Sequence, residues 1–146
     1  MEIMSTREIK MKPSPSMDNW LKEAKEDASA SKCGMYLVHN GVVRQDARSK
    51  VREGDLSART VSGMNFSYDA KKVNSAIAQA LTLEGIYYVR VWLNEGILNV
   101  GNDIMFVLIG GDIRPHVVDA LQFLVGKIKG ECVCEQEIYE QKEIFQ

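Results

Sequence analysis

The spacing of apolar side chains changes several times along the chain, and each change marks an element. Residues 1–16 show no period. Pro13 and Pro15 alternate with Ser14 and Ser16, a pattern that resists regular structure. Ser16 can cap a short helix over 17–27, with Trp20, Leu21 and Ala24 on one side. Residues 28–32 are small and polar and read as a linker. The stretch 1–32 is therefore an N-terminal extension with a short helix and linker, and the compact domain spans 33–146.

Within that domain the spacing predicts a strand over 35–44, rich in Leu37, Val38, Val42 and Val43, with Gly41 marking a bulge or close approach. Residues 45–59 are polar and basic and read as a long loop. A second strand follows over 60–68, with Val61, Met64, Phe66 and Tyr68 apolar. Asp69 caps a helix through 82 whose apolar face is Val73, Ile77, Ala80 and Leu81, and Gly85 suits a left-handed residue after it. A third strand covers 86–93. Turns at 94–96 and 99–102 precede an unbroken apolar strand over 104–109, which reads as buried on both faces. Gly110-Gly111 breaks it. A helix with Pro115 in its first turn then carries Val117, Leu121, Leu124 and Ile128 on one face, and Gly130 ends it. The last strand, 131–139, places Cys132, Cys134 and Ile138 on one face and Glu131, Glu135 and Glu137 nearer the other. The fold class is α+β, two helices on a mainly antiparallel sheet.

A length of 146 residues suits one domain, and contents of 45% hydrophobic and 26% charged residues are ordinary for a globular chain. The apolar run 104–109 is far short of the roughly 20 residues a membrane helix needs, and the first residues lack the apolar stretch of an export signal. No membrane association is expected. Three cysteines, an odd number, argue against a disulfide framework and for the cytoplasm. A Cys-x-Cys pair with two histidines elsewhere is a weak metal signal, so no metal is expected. The net charge of −2 disfavours a strongly basic nucleic-acid binder. Charge is unevenly spread: residues 33–60 carry five basic against three acidic groups, and 131–146 one against five.

Three places carry candidate chemistry. Arg44, Arg48, Lys50 and Arg52 follow a strand end within nine residues. They suit either a solvated loop or an anion clamp, since guanidinium forks match phosphate oxygens. Gly110-Gly111-Asp112-Ile113-Arg114 opens a helix, where backbone N–H groups can bind an anion; a tight turn with a capping Asp explains it equally. Lys127 and Lys129 complement a helix C-terminus. Lys129 leans toward the last strand, and a lysine beside arginines can attack or polarise a carbonyl. His39 and His116 suit structural roles, although His116 sits one helical turn from the Arg114 site.

The order and spacing of several short motifs resemble the large, catalytic subunit of molybdopterin synthase over 33–139. Gly34 and Gly41-Val42-Val43-Arg44 resemble the family's G-x(6)-G-x-V-R strand, and Gly96-Ile97-Leu98-Asn99-Val100-Gly101-Asn102-Asp103 its G-x-L-x-x-G-D/E turn. Arg114 stands at the Arg of a His-Arg pair, and Ile128-Lys129 at a Leu-Lys near the helix end. The resemblance implies the α/β-hammerhead type of fold and a homodimer. It implies a ubiquitin-like sulfur carrier ending in Gly-Gly, whose thiocarboxylate delivers sulfur to a cyclic pyranopterin monophosphate in molybdenum cofactor biosynthesis. No cofactor is implied, because the sulfur arrives activated. Lys129 would be catalytic; Arg44, Arg114, Arg48, His116 and His39 would bind substrate. The chain departs from the family at Leu93-Asn94 and Ile113, where histidines and an arginine are expected. At Val133-Cys134-Glu135-Gln136, a Pro-x-Trp-Lys is expected, so the second reactive lysine is Gln136. The alternative is a non-catalytic relative that binds a pterin, an oxyanion or a sulfur-carrier tail.

Overall fold

The computed structural model describes residues 10–46, 54 and 60–140. Helix α1 spans Met17–Glu26, strand β1 Met35–Val42, β2 Val61–Tyr68, helix α2 Ala70–Leu81, β3 Ile86–Leu93, β4 Gly96–Asn99, β5 Asp103–Gly111, helix α3 Arg114–Lys127 and β6 Val133–Tyr139. A π-helical turn, Ile128–Cys132, joins α3 to β6.

The strands form two three-stranded antiparallel sheets rather than one: β1-β5-β3 and β4-β2-β6. Strand β4 is the element that the sequence pattern hid. Its four residues alternate buried and exposed, but two flanking glycine turns leave it too short to show a period.

Strand β5 is the centre of the fold, and its apolar run is buried on both faces as its composition predicts. Met105, Val107 and Ile109 point to the side of α2 and α3, where Val117, Leu124 and Ile128 are fully buried. Phe106 and Leu108 point to the other side and meet Trp20 and Ala24 of α1. Each fully buried large side chain contributes roughly 1.5–3 kcal/mol, so this strand couples three layers. Helix α1 is fixed further by Arg90 of β3, which pairs with Glu23 and lies 4.5 Å from the Trp20 ring centroid.

Local signals behave as their chemistry dictates. The Ser16 hydroxyl accepts a hydrogen bond from the Asn19 N–H, and Asp69 accepts from Lys71 and Lys72, so both helices are capped as expected. Gly85 has φ +77°, and β1 slips register between Gly41 and Val42, the bulge its glycine suggested. Gly110 and Gly111 are the last residues of β5 and serve packing. A Cβ on Gly110 would lie 2.6 Å from the Tyr36 ring, and one on Gly111 2.6 Å from Val117 Cγ2.

Gly126, by contrast, sits exposed in α3 with nothing near the position of a Cβ. Gly126→Ala should stabilise the protein by about 0.5–1 kcal/mol, since glycine costs a helix that much in backbone freedom. Urea unfolding checks this; an unchanged or lower midpoint would show that the helix end is not limiting.

Candidate functional site

Strand β1 ends in a fixed geometry. Val43 is 2% exposed; its N–H donates to Asn102 O, and its carbonyl accepts from Gly101 N–H. Arg44 emerges immediately after this anchor, with Nε donating to Asp46 O at 3.1 Å. Alternation along β1 puts His39 and Gly41 on the same side, facing the helices' half of the core rather than α1.

Lys129 is placed by the π-helical turn. Ile128 and Cys132 are its buried anchors, at 0% and 4% exposure. The Asp69 N–H donates to Cys132 O, tying the turn to the cap of α2. Between those anchors Lys129 projects outward at the head of β6. Single π-turns in helices often occur at functional sites, and here the extra residue displaces the lysine from the regular α3 face.

On β6, Glu135 and Glu137 are half-buried, whereas Cys134, Gln136 and Ile138 are exposed on the opposite face. The inner side chains of β6 meet those of β1 and the π-turn across a cavity of about 460 Å³. His39, Arg44 and Lys129 line it with Glu135, Glu137 and Tyr139, over a floor of Val61, Met64, Ile104 and Met105. The Tyr139 hydroxyl donates to Glu137 Oε1 at 3.3 Å. Burial, aided by the positive charge of Lys129, holds the His39 imidazole below its usual value. His39 is therefore a neutral group at neutral pH, able both to donate and to accept a hydrogen bond.

Of the residues singled out from the sequence, His39, Arg44 and Lys129 come together. Arg48 lies outside the described residues, as do Lys50 and Arg52. Arg114 and His116 do not join the group within one chain. They begin α3, whereas Lys129 lies just past its end, about 22 Å away along a helix rising 1.5 Å per residue. Gln136 faces away from the cavity, and the positions of β6 that face it carry carboxylates. Glu137 and Tyr139 were the residues sequence reasoning passed over; their alternate spacing with Glu135 was the available signal.

The glycine-rich turn before α3 forms a clasp of side chains. The His116 Nδ1–H donates to Asp112 Oδ1 at 2.7 Å, the same oxygen accepts from Ile113 N–H, and Glu84 lies 3.7 Å from His116 Nε2. A side chain on Gly85 would collide with this pair, which accounts for the glycine there. The hydrogen bond to Asp112 is the main cause of a raised His116 value, with the charges of Asp112, Glu84 and Asp119 adding to it. The same bond lowers Asp112. A raised imidazole stabilises the fold below its unfolded value and loses that contribution as pH rises through the folded one. A lowered carboxyl stabilises above its unfolded value and loses that contribution as pH falls through the folded one. The clasp is thus complete between about pH 4 and pH 6.5. The stability difference between wild type and His116→Ala should be largest near about pH 5–6 and shrink in alkaline solution. A difference independent of pH in urea unfolding would show that the clasp does not depend on charge.

Asn94 also has a structural role. It is 1% exposed, its Nδ2 donates to Asp103 O, and its Oδ1 accepts from the N–H groups of Lys12 and Glu95. The ammonium of Lys12 lies 4.9 Å and 5.4 Å from the Tyr68 and Trp92 ring centroids.

A family model described as MoaE protein matches residues 16–131. The chain belongs to the MoaE family. The match begins at the cap of α1 and ends in the π-helical turn, so it includes Arg44 and Lys129 but stops short of β6 and its carboxylates. No curated protein matches the sequence significantly. Solved structures share the MoaE fold at low identity. A MoaE protein from Burkholderia ambifaria MC40-6 superposes with a TM-score of 0.63 at 17% identity, covering 90% of this chain and 88% of its own. Molybdopterin synthase from Staphylococcus aureus gives 0.60 at 15% identity, covering 74% and 76%. A complex of subunits 1 and 2 of the molybdopterin-converting factor from Helicobacter pylori 26695 gives 0.59 at 15% identity, covering 88% and 86%. Among the described residues, no helix is long and apolar enough to cross a membrane.

Proposed function

We propose that this chain is the large subunit of a molybdopterin synthase acting in molybdenum cofactor biosynthesis in the cytoplasm. The observation that carries the reading is the convergence of His39, Arg44 and Lys129 on one cavity within the MoaE fold. Arg44 supplies a planar fork of donors that matches a pair of phosphate oxygens. Lys129, exposed at the π-turn and lining the same cavity, is suited to polarise the acyl group of an incoming carrier tail. The carrier's thiocarboxylate sulfur attacks an oxygen-bearing carbon of the pyranopterin, the C–O bond there breaks and the oxygen leaves with a proton, and water then cleaves the acyl–sulfur bond, so that the carrier departs as a carboxylate and the sulfur stays on the pterin. His39, neutral beside Lys129, is suited to relay that water's proton.

Arg114 enters this reading through a second copy. One chain holds Arg114 and Lys129 at opposite ends of α3, so a site containing both needs a homodimer. Support for pairing comes from the sheet β4-β2-β6. Its exposed positions on β2, β4 and β6, among them Asn65, Ile97, Gln136 and Ile138, carry no formal charge, and β6 is an edge strand.

The test is binding of a thiocarboxylated ubiquitin-like carrier, with and without its two terminal glycines, followed by calorimetry. The intact carrier should bind and the truncated one should lose most of its affinity, because the tail is what enters the cavity. Equal affinity for both would place the carrier elsewhere. A binding-only relative is the second reading, favoured by one observation: the cavity wall carries Glu135 and Glu137. It predicts intact carrier and pterin binding without sulfur transfer.

A further inference from the structure

The segment before α1 is tethered at every second residue. Lys12 donates its backbone N–H to Oδ1 of the buried Asn94 at 2.8 Å and its ammonium to the Tyr68 hydroxyl at 3.0 Å. The Ser14 hydroxyl donates to Asp103 Oδ2 at 2.5 Å, and Ser16 caps α1. The residues between these tethers are Pro13 and Pro15. Each proline fixes its own φ and holds the residue before it extended, so the segment gives up little further freedom when it docks.

Asp103 is where this strap meets the cavity. Its other oxygen, Oδ1, accepts from Asn40 Nδ2 at 3.1 Å, and the same amide reaches Met105 O at 3.2 Å. Asn40 stands in β1 between His39 and Gly41, which both line the cavity. The β1–β5 pairing skips a residue at this point. Gly41 lies opposite Met105 and Val42 opposite Asp103, so Ile104 is left over as a bulge. Ile104 is 7% exposed and forms part of the cavity floor. One step further, Val43 exchanges hydrogen bonds with Asn102 and Gly101, and Arg44 follows. A bulge bends the paired strands locally and re-aims the side chains beside it. The direction in which Arg44 leaves β1 is therefore set at this bulge, and the Asp103 carboxylate ties the bulge to β1 with one oxygen and to the strap with the other.

We infer that the strap, residues 12–16, acts through Ser14 and Asp103 to aim Arg44 at the phosphate of the ligand. Neither Ser14 nor Asp103 lines the cavity, so both are positioning residues. The inference rests on Arg44 holding the pterin phosphate and adds what sets its aim. Residues 12–15 precede the stretch 16–131 that the family model matches, so this support is a feature of this chain. Without the strap, Asn40 still holds Asp103, and the bulge persists in more than one arrangement. A site that is competent for only part of the time binds more weakly by that fraction.

The experiment is calorimetric titration of the full chain with cyclic pyranopterin monophosphate. Ser14→Ala should weaken binding about 2–10-fold, the effect of losing one hydrogen bond, and Ser14→Thr, which keeps the hydroxyl, should bind as wild type does. Hydrogen exchange at the Val43 and Gly101 amides should quicken in Ser14→Ala. The deciding arm is the Arg44→Ala background, where Ser14→Ala should weaken binding no further, because nothing remains to be aimed. Undiminished binding by Ser14→Ala, or an equal loss with and without Arg44, overturns the inference, the second outcome meaning that the strap merely braces the fold. Wild type that does not bind, or an Arg44→Ala chain that binds undiminished, removes Arg44 from the phosphate and takes the inference with it. Failure of the synthase reading looks different: the binding pattern holds, but no sulfur is transferred.

Discussion

Lys129→Ala should lower single-turnover sulfur transfer by about 10²–10⁴-fold, the usual cost of removing a positioned acid–base or electrostatic group. The residue is exposed at the π-turn, and the buried anchors of that turn are Ile128 and Cys132. Truncating the side chain therefore removes no core contact, and urea unfolding should be nearly unchanged. The pairing of a large kinetic effect with a small stability effect is what identifies a reacting group. Lys127, two residues earlier, is the internal control. It pairs with Glu131 at 3.0 Å and lines a different groove with Lys72 and Gln79. Lys127→Ala should leave transfer within a few-fold of wild type, because an exposed ion pair of this kind contributes about 0.3–0.5 kcal/mol. Equal loss in both variants would mean that the helix end, not Lys129, is what matters.

Arg114→Ala should cost transfer about 10²-fold, since a guanidinium making charge-assisted bonds to a phosphate has no neutral substitute. The stronger expectation concerns mixing. If Arg114 serves the site of its partner, a dimer of one Arg114→Ala copy and one Lys129→Ala copy contains one complete site. Unfolding and refolding the two inactive variants together should then restore about a quarter of wild-type activity, because half the copies enter mixed dimers with one working site each. No recovery, with dimers present by sedimentation, would show that Arg114 acts within its own chain or not at all. The separation of about 22 Å between Arg114 and Lys129 along α3 makes the first of those outcomes difficult to reconcile with a shared phosphate.

Much of this architecture was legible where chemistry acts locally. Ser16 and Asp69 announced helix starts because their side chains satisfy N–H groups that no other group reaches. Gly85 announced a left-handed residue. The run 104–109 announced a strand buried on both sides because no polar alternation interrupts it. What the sequence hid was set by distant partners. Division of the strands between two sheets depends on which strand pairs with which, and β1 and β2 have patterns compatible with either. Strand β4 was masked by its own turns. The end of α3 looked like a stop at Gly130, yet the backbone continues through a π-turn held by Ile128 and Cys132, and this is what moves Lys129.

The candidate site was half legible. Arg44 and Lys129 were recognisable from their motifs, and the structure brings them to one cavity with His39. His116 looked like a substitute imidazole from its closeness to Arg114, but its partners are Asp112 and Glu84. The orientation of β6 was the decisive unknown. Alternation separates its two faces but does not say which one turns inward, and that choice exchanges Gln136 for Glu135 and Glu137.

Single-turnover conversion of cyclic pyranopterin monophosphate by the wild-type chain, with a thiocarboxylated carrier as the sulfur source, decides whether this chain transfers sulfur. Carrier thiocarboxylate should be converted to carboxylate in step with the appearance of the sulfur-bearing pterin. Persistence of the thiocarboxylate while carrier and pterin are both bound would contradict it.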